Sequence, residues 1–367
     1  MYTVPEKLNW SLVVATYKRE TILPRCLRLA AQQTLLPKEI IVVDASPYWE
    51  KTRAQIMQDI ASQYPMIEWK YVQAKRTSLP AQRNQGIGLA TAEVLFLIDD
   101  DSLMYLDCAE EIMKIYELDT EHKVVGVGAL EVSLPPQNLM KEESKAHQLS
   151  STLIKRGMLT QFKHKLKEGF LGKILGNLEE DRVLPPYDSP PIKHIFPETL
   201  KGMKVHQISF IGGCSMTFRR DLFKRIHFAE ILENYAAAED IDFSYRAARF
   251  GAILRNLDAQ LYHDYSPGGR LSRFTVIALA LLNFAVLHRV YNSSSFKVFR
   301  KRFPKGRGLG TIAVKQTIKD LLVGRWLFPS TRGVLFAFWH YKEIFSKSPE
   351  ELHNWYPDFQ KKLIGKT

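Results

Sequence analysis

Apolar residues arrive in short unbroken blocks over the first hundred positions. Leu12-Val13-Val14-Ala15, Ile40-Ile41-Val42-Val43 and Val94-Leu95-Phe96-Leu97-Ile98 are each closed by polar residues. Blocks of this length, rich in branched side chains, read as strands buried on both faces, as in a parallel sheet. The pattern predicts strands over 9–16, 39–44 and 94–98, and an alternating strand over 67–72. Between them Ile22, Leu23, Cys26, Leu27, Leu29 and Ala30 recur at helical spacing through Gln33, ahead of Pro37. Ile56, Met57 and Ile60 mark a helix over 52–63, and Pro80 to Ala92 is a third. Strand and helix alternate, so the fold class is α/β, a mostly parallel sheet flanked by helices.

A second stretch predicts a helix over 107–117 and a strand over 124–132. Residues 133–205 lose periodicity and carry Pro135-Pro136, Pro185-Pro186 and Pro190-Pro191, which reads as an irregular insertion with some helix over 139–168. Ile208 to Phe218 is apolar and Gly-rich, Asp221 to Ile226 is a short helix, and Ala236 to Phe250 is a helix stopped by Gly251. Ala252–Leu254 and Ala259–Tyr262 are short strands. The expected organisation is a domain over 1–269, with halves 8–106 and 107–269, and a mainly helical region over 270–367.

Charge separates the same two regions. The chain has 367 residues and a net charge of +12. From Arg270 onward 18 Lys and Arg face 5 Asp and Glu, whereas the preceding residues carry 33 against 34. A neutral front and a basic tail point to an anionic surface as partner of the tail. Phe274 to Leu287 is a 14-residue run, apolar but for Thr275 and Asn283. A helix of that length rises about 21 Å, short of the ~30 Å hydrocarbon core. It is expected to lie on a membrane surface or to pack on the front domain rather than to span. Trp326, Leu327, Phe336, Phe338, Trp339 and Tyr341 stand among Arg325, Arg332 and Lys342. That mixture suits a headgroup region and equally a helical core. Cys26, Cys108 and Cys214 form no CxxC pair, and residues 1–7 lack a leader's basic-then-apolar order. A reducing cytoplasm is the expected compartment, with peripheral contact at the inner face of the membrane.

The candidate chemistry sits where strands end. Val94–Ile98 runs straight into Asp99-Asp100-Asp101. Lone carboxylates are costly to bury, so the acids are expected at the C-terminal strand edge, where open α/β sheets bind ligands. Asp99 and Asp101 are two apart and point the same way on an extended exit. Two such carboxylates suit a hard divalent cation, and an acidic turn or helix cap is the plain alternative. Thr16, Tyr17 and Arg19 follow the first strand and Asp44 ends the second. A carboxylate there can accept from a pyrimidine or ribose, Tyr17 can stack on a base, and simple strand termination is the other reading of Asp44. Arg76, Arg83 and Asn84 precede the acid strand; Arg83 can neutralise phosphate or be a solvated helix residue. Glu239 and Asp240 open a later helix, where the dipole favours acids and where a carboxylate can also act as general base. His263 is a structural imidazole or a further metal ligand. No GxGxxG follows the first strand and no P-loop is present, which argues against a dehydrogenase and a P-loop nucleotidase.

Taken in order, Val13-Val14-Ala15-Thr16-Tyr17-Lys18-Arg19, Glu39–Ser46, Pro80–Ile87 and Phe96–Asp101 resemble the start of family 2 glycosyltransferases with the GT-A fold, the last being the DxD strand. Ile211–Asp221 is similar to the acceptor-side strand, and Glu239–Arg246 to the ED motif. The resemblance covers about residues 8–265. It implies an inverting transfer from a UDP-, GDP- or dTDP-sugar to a glycan or lipid-linked acceptor, in cell-surface polysaccharide synthesis. Donor contacts would fall on Thr16, Tyr17, Arg19, Asp44, Arg76, Arg83, Asn84, Asp99 and Asp100. Mn2+ or Mg2+ would sit on Asp101, Asp99 and His263. Asp240 would be the base and Glu239 would orient the acceptor. Cys214 stands where many members have Asn or a small residue, and no QxxRW follows the ED helix, which argues against a processive synthase. Two other classes stay in view. A sugar-1-phosphate nucleotidyltransferase would want a Gly-rich basic loop after the first strand. A non-enzymatic protein binding an anionic surface would use the basic tail. Nucleic acid is not expected as a partner.

Overall fold

The computed structural model describes residues 7–136, 192, 194–265, 271–292 and 309–365. Its first half is the alternation read from the sequence: β1 (Trp10–Thr16), α1 (Leu23–Ala31), β2 (Glu39–Asp44), α2 (Trp49–Asp59), β3 (Glu68–Gln73), α3 (Leu79–Leu89) and β4 (Val94–Asp99). These four strands pair in parallel, with Thr16 opposite Asp44 and Ala15 opposite Asp99. Alternate residues divide the core. Trp10, Leu12, Val14, Ile40, Val42, Phe96 and Ile98 face α1 and α2, whereas Val13, Ile41, Val43, Leu95 and Leu97 face α3. Gly86 lets α3 lie close, because a Cβ there would stand 2.4 Å from Val13 Cγ1.

The second half continues the same sheet with mixed polarity. β5 (Ser102–Met104), α4 (Cys108–Leu118), β6 (Val124–Val132), β7 (Val205–Gln207), β8 (Met216–Arg219), α5 (Glu239–Ala247) and β9 (Ala252–His263) follow in chain order. The sheet order is β3-β2-β1-β4-β8-β6-β9-β5, with β7 on β9. β8 is antiparallel to both β4 and β6, while β6 and β9 are parallel.

Within the apolar, Gly-rich block Ile208–Phe218, a 3₁₀ turn over Gly213–Ser215 precedes the four-residue β8. Two expectations change. The two short strands expected over 252–262 are one strand, interrupted by a register shift against β6. α5 starts at Glu239 rather than Ala236, because Ala238 is left-handed (φ 73°) and cannot continue a helix. The helix expected over 139–168 lies outside the described residues.

The tail forms α6 (Arg273–Asn292), α7 (Leu309–Leu322), α8 (Pro329–Ser346) and α9 (Pro349–Gly365). α6 has 20 residues, not 14, and rises about 30 Å. By length and composition it can cross a membrane; half of its apolar window is nevertheless buried in the molecule. Ala278, Leu279, Leu282, Ala285 and Val286 pack with Ala337, Tyr341 and Ile344 of α8, with Leu352 and Tyr356 of α9, and with Leu232, Ile241 and Tyr245 of the front domain. The packing on the front domain expected for this run is therefore present.

Candidate active site

The C-terminal ends of β1, β2 and β4 gather the acids. Asp44 is buried and both its oxygens are engaged: Ser46 N–H donates to Oδ1 at 2.7 Å and Tyr71 O–H to Oδ2 at 2.6 Å. Tyr71, on neighbouring β3, is a partner that the strand pattern alone did not flag. Thr16 Oγ1 donates to Asp100 Oδ2 at 2.6 Å. Burial pushes the Asp100 carboxyl up to about 7; Asp101 and Asp99 add to this, against the Thr16 hydroxyl and Arg19. Arg19 Nη1 is buried with no hydrogen-bond partner, so this edge holds an unused cationic donor. Tyr17 is exposed, and with Thr16, Ser78, Gln82 and Asn234 it lines a cleft of about 180 Å³.

Asp99, Asp101 and His263 each bring a ligand atom within 4.8 Å of the other two. β5 pairs antiparallel with β9 and sets Ser102 opposite His263, which explains the meeting across 162 residues. His263 Nε2 lies 3.0 Å from Asp101 Oδ1. Burial alone would push the imidazole pKa down, but Asp101 and Cys214 beside it outweigh burial and raise it to about 11. Two carboxylates and an imidazole are a donor set that fits a divalent cation, which displaces the ring proton on binding.

Arg83 joins this edge to the later helix. Its guanidinium is fully buried, 2.9 Å from Asp99 Oδ1 and 3.0 Å from the Gly213 carbonyl, and it pairs with Glu239. It is turned to protein acids rather than to open solvent. Glu239 is buried, and its Oε2 has no partner. Burial pushes its carboxyl up to about 8, opposed by Arg83 and reinforced by Asp240. Asp240 is less covered. Gly213 N–H donates to its Oδ2 at 3.1 Å and Ile241 N–H to its Oδ1 at 2.9 Å. Burial raises its pKa against those two donors.

Arg76 and Asn84 are occupied elsewhere. Arg76 pairs with Glu230 and Glu233. Asn84 clamps the segment ahead of α5, with Nδ2 donating to Phe228 O and Glu230 Oε1 and Oδ1 accepting from Phe228 N–H.

The tail reaches the site as well. Asn283 Nδ2 donates to the Tyr235 and Ala237 carbonyls at 3.0 and 2.9 Å. Tyr356 and Gln360 donate to Asn283 Oδ1, and Gln360 also to Tyr235 O. These three side chains fix the chain just before the left-handed Ala238 and the acids after it. The polar interruption of the 274–287 run was their only visible sign.

Known proteins sharpen this geometry. The sequence profile described as glycosyl transferase family 2 matches residues 11–227. EpsH of Bacillus subtilis (strain 168), a protein assigned as a glycosyltransferase, is 33% identical over 111 residues, 28% of this chain. The match spans only 29% of EpsH. A mannosyltransferase of Pyrobaculum calidifontis, solved with GDP-Man and Mn2+, superposes over 92% of this chain and 87% of its own, with TM-score 0.50 and 14% identity. At that identity the likeness concerns the fold alone, which is of the GT-A type. S. aureus TarS 1–349 with UDP-GlcNAc covers 92% and 91% at TM-score 0.46 and 14% identity.

Proposed function

The chain belongs to glycosyl transferase family 2, and from that premise we propose that it moves one sugar from a nucleotide-diphosphate sugar to a hydroxyl of a glycan or lipid-linked acceptor, inverting the anomeric centre. One observation carries this reading. Arg83 ties Asp99 of the acid strand to Glu239, so donor-side and acceptor-side carboxylates share one sheet edge. A divalent cation on Asp101, Asp99 and His263 would supply positive charge beside the departing diphosphate. Asp240 takes the acceptor's hydroxyl proton, the oxygen bonds to the anomeric carbon, and the bond to the diphosphate breaks. The two backbone N–H groups on Asp240 aim it, and its partial burial makes it a stronger base. Glu239, locked by Arg83, lines the acceptor side. Thr16 and Tyr17 meet the nucleotide in the cleft, and Arg19, three residues after Thr16, has an unpartnered Nη1 with which to meet its phosphates.

The same proposal sets the enzyme on the cytoplasmic face of a membrane. α7 and α8 turn apolar side chains outward as well as inward. Asp320 accepts from Ser330 and pairs with Arg325, which fixes the turn between them and leaves Trp326 (72% exposed) and Leu327 (79%) outside. Trp339 is 81% exposed, with Leu335 and Phe338 on its face of α8. Lys315, Lys319, Arg332 and Lys342 lie among them. Aromatic and basic groups together suit a headgroup layer.

Donor-dependent transfer with Mn2+, assayed across UDP-, GDP- and dTDP-sugars, tests the reaction. Asp240→Asn is expected to lower turnover by about 10²–10⁴-fold with the fold retained by circular dichroism. Near-normal turnover would remove Asp240 as base. For the surface, Trp326→Ser with Trp339→Ser is expected to abolish sedimentation with anionic vesicles, and unchanged sedimentation would remove the membrane from the reading.

A further inference from the structure

We infer that Glu131, Cys214 and His263 form a second cation site, one that takes a thiophilic divalent ion such as Zn2+ and shares His263 with Asp99 and Asp101. The three residues come from separate elements: the end of β6, the 3₁₀ turn before β8, and the end of β9. Parallel pairing sets Glu131 opposite Leu261, two residues from His263, so both side chains leave one face of the sheet. β8 is antiparallel to β6 with Met216 opposite Gly128, which brings the turn holding Cys214 to the same place. Their ligand atoms all lie within 4.8 Å of one another.

The imidazole has an unspent atom for this site. Nε2 is given to Asp101, while Nδ1 is buried without a hydrogen-bond partner. A buried ring nitrogen left without a partner is costly, and a ligand would offset that cost. Glu131 is exposed and gives an ion a way in, and its Oε1 is steadied by the Tyr265 hydroxyl at 2.6 Å. Cys214 is buried beside them. Thiolate, imidazole and carboxylate select Zn2+ or Cd2+, whereas Mg2+ and Mn2+ favour oxygen-rich sets. On binding, the thiol and the ring lose their protons to solvent and their electron pairs form the S–metal and N–metal bonds. Because His263 serves both sets, a soft ion here withdraws it from Asp101. Inhibition of Mn2+-supported transfer by Zn2+ then follows, and this consequence alone rests on the proposed function.

The test is a Cd2+ titration of the full chain, read by the ultraviolet thiolate-to-metal charge-transfer band. One equivalent is expected to saturate the band. Cys214→Ser should remove it, Glu131→Gln should keep it with affinity lowered about 10-fold, and Asp101→Asn should leave it in place. Glu131→Gln alters an exposed side chain, so it reports even if the Cys214 variant folds poorly. A band surviving Cys214→Ser, with Cys26 near the Asp99 carbonyl as its source, or affinity unmoved by Glu131→Gln, would overturn the site. A Cd2+ band on a chain that transfers no sugar would keep the site and remove the functional reading instead.

Discussion

Two edges of the same four parallel strands handle buried carboxylates in opposite ways. At the N-terminal edge, Glu39 opens β2 with no exposure and a full set of donors: Ser11 Oγ at 2.6 Å, Thr91 N–H and Oγ1, and the Lys70 ammonium. Burial alone would raise its pKa, but those donors outweigh it and hold the carboxyl at about 2. At the C-terminal edge, Asp100 is pushed up to about 7 and Glu239 to about 8, burial being the first cause of both. Glu39 is electrostatically complete. The C-terminal edge keeps surplus negative charge and unpartnered atoms on Glu239, Arg19 and His263. An edge that lacks counter-charge is one that a cation and a phosphate can complete, and open α/β sheets bind ligands on that side.

The sharpest way to break this contrast is to remove the guanidinium that restrains the open edge. Arg83→Met keeps the length of the side chain but strands Glu239 and exposes Asp99 to it. Breaking a buried pair by taking one partner is costly, and a loss of about 3 kcal/mol in urea unfolding is expected. A loss below about 1 kcal/mol would mean that the two acids already stand apart.

At the closed edge the expected loss is smaller. Glu39→Gln should cost about 2 kcal/mol at neutral pH, since part of the pKa shift is discounted for the partly exposed Lys70. The sign of its pH dependence is fixed. The folded pKa is depressed, so the stability that Glu39 contributes is complete above its unfolded value of 4.5 and fades as pH falls toward about 2. Wild type and Glu39→Gln should therefore converge in stability between those pH values. Curves that stay parallel through that window would place the compensation elsewhere.

The closed edge and the acid strand were far more legible in the sequence than the restraint between them. Val94–Ile98 and Ile40–Val43 announce buried strands because every residue in them is apolar, and an acid after such a run has few places to go. The first four strands and β6 accordingly lie where the pattern sets them, within a residue or two, whereas the three-residue β5 carried no such pattern. Beyond Ile208 the backbone answers to side chains instead. The Gly213 N–H goes to Asp240 and its carbonyl to Arg83, so the apolar block containing it bends into a turn rather than joining a ladder. Arg83 and Glu239 lie 156 positions apart and no local rule joins them. Arg83 therefore read as a solvated or phosphate-binding residue. Arg76 and Asn84 were read toward the donor, yet their partners Glu230 and Phe228 sit in an aperiodic segment that carries no signal of its own.

The smallest expected change in stability tests whether the open edge is also braced from behind. Asn283 is the one amide in the middle of a mainly apolar helix, wholly buried and fully bonded. Its two donations hold the Tyr235 and Ala237 carbonyls, five and three residues before Asp240 and on the far side of the left-handed Ala238. Asn283→Ala removes them and should cost about 1–2 kcal/mol, the usual penalty for leaving buried groups unpaired. The larger consequence is positional. With the turn loosened, Asp240 loses its fixed aim, and a misplacement of about 1 Å can cost roughly 10²-fold in rate. The expectation is a fall in kcat that exceeds any rise in donor KM, because the Thr16 and Tyr17 wall of the cleft is untouched and only its Asn234 wall adjoins the loosened turn. A matched fall in stability and in donor affinity, with kcat preserved, would make Asn283 a packing residue and confine the open edge to the sheet itself.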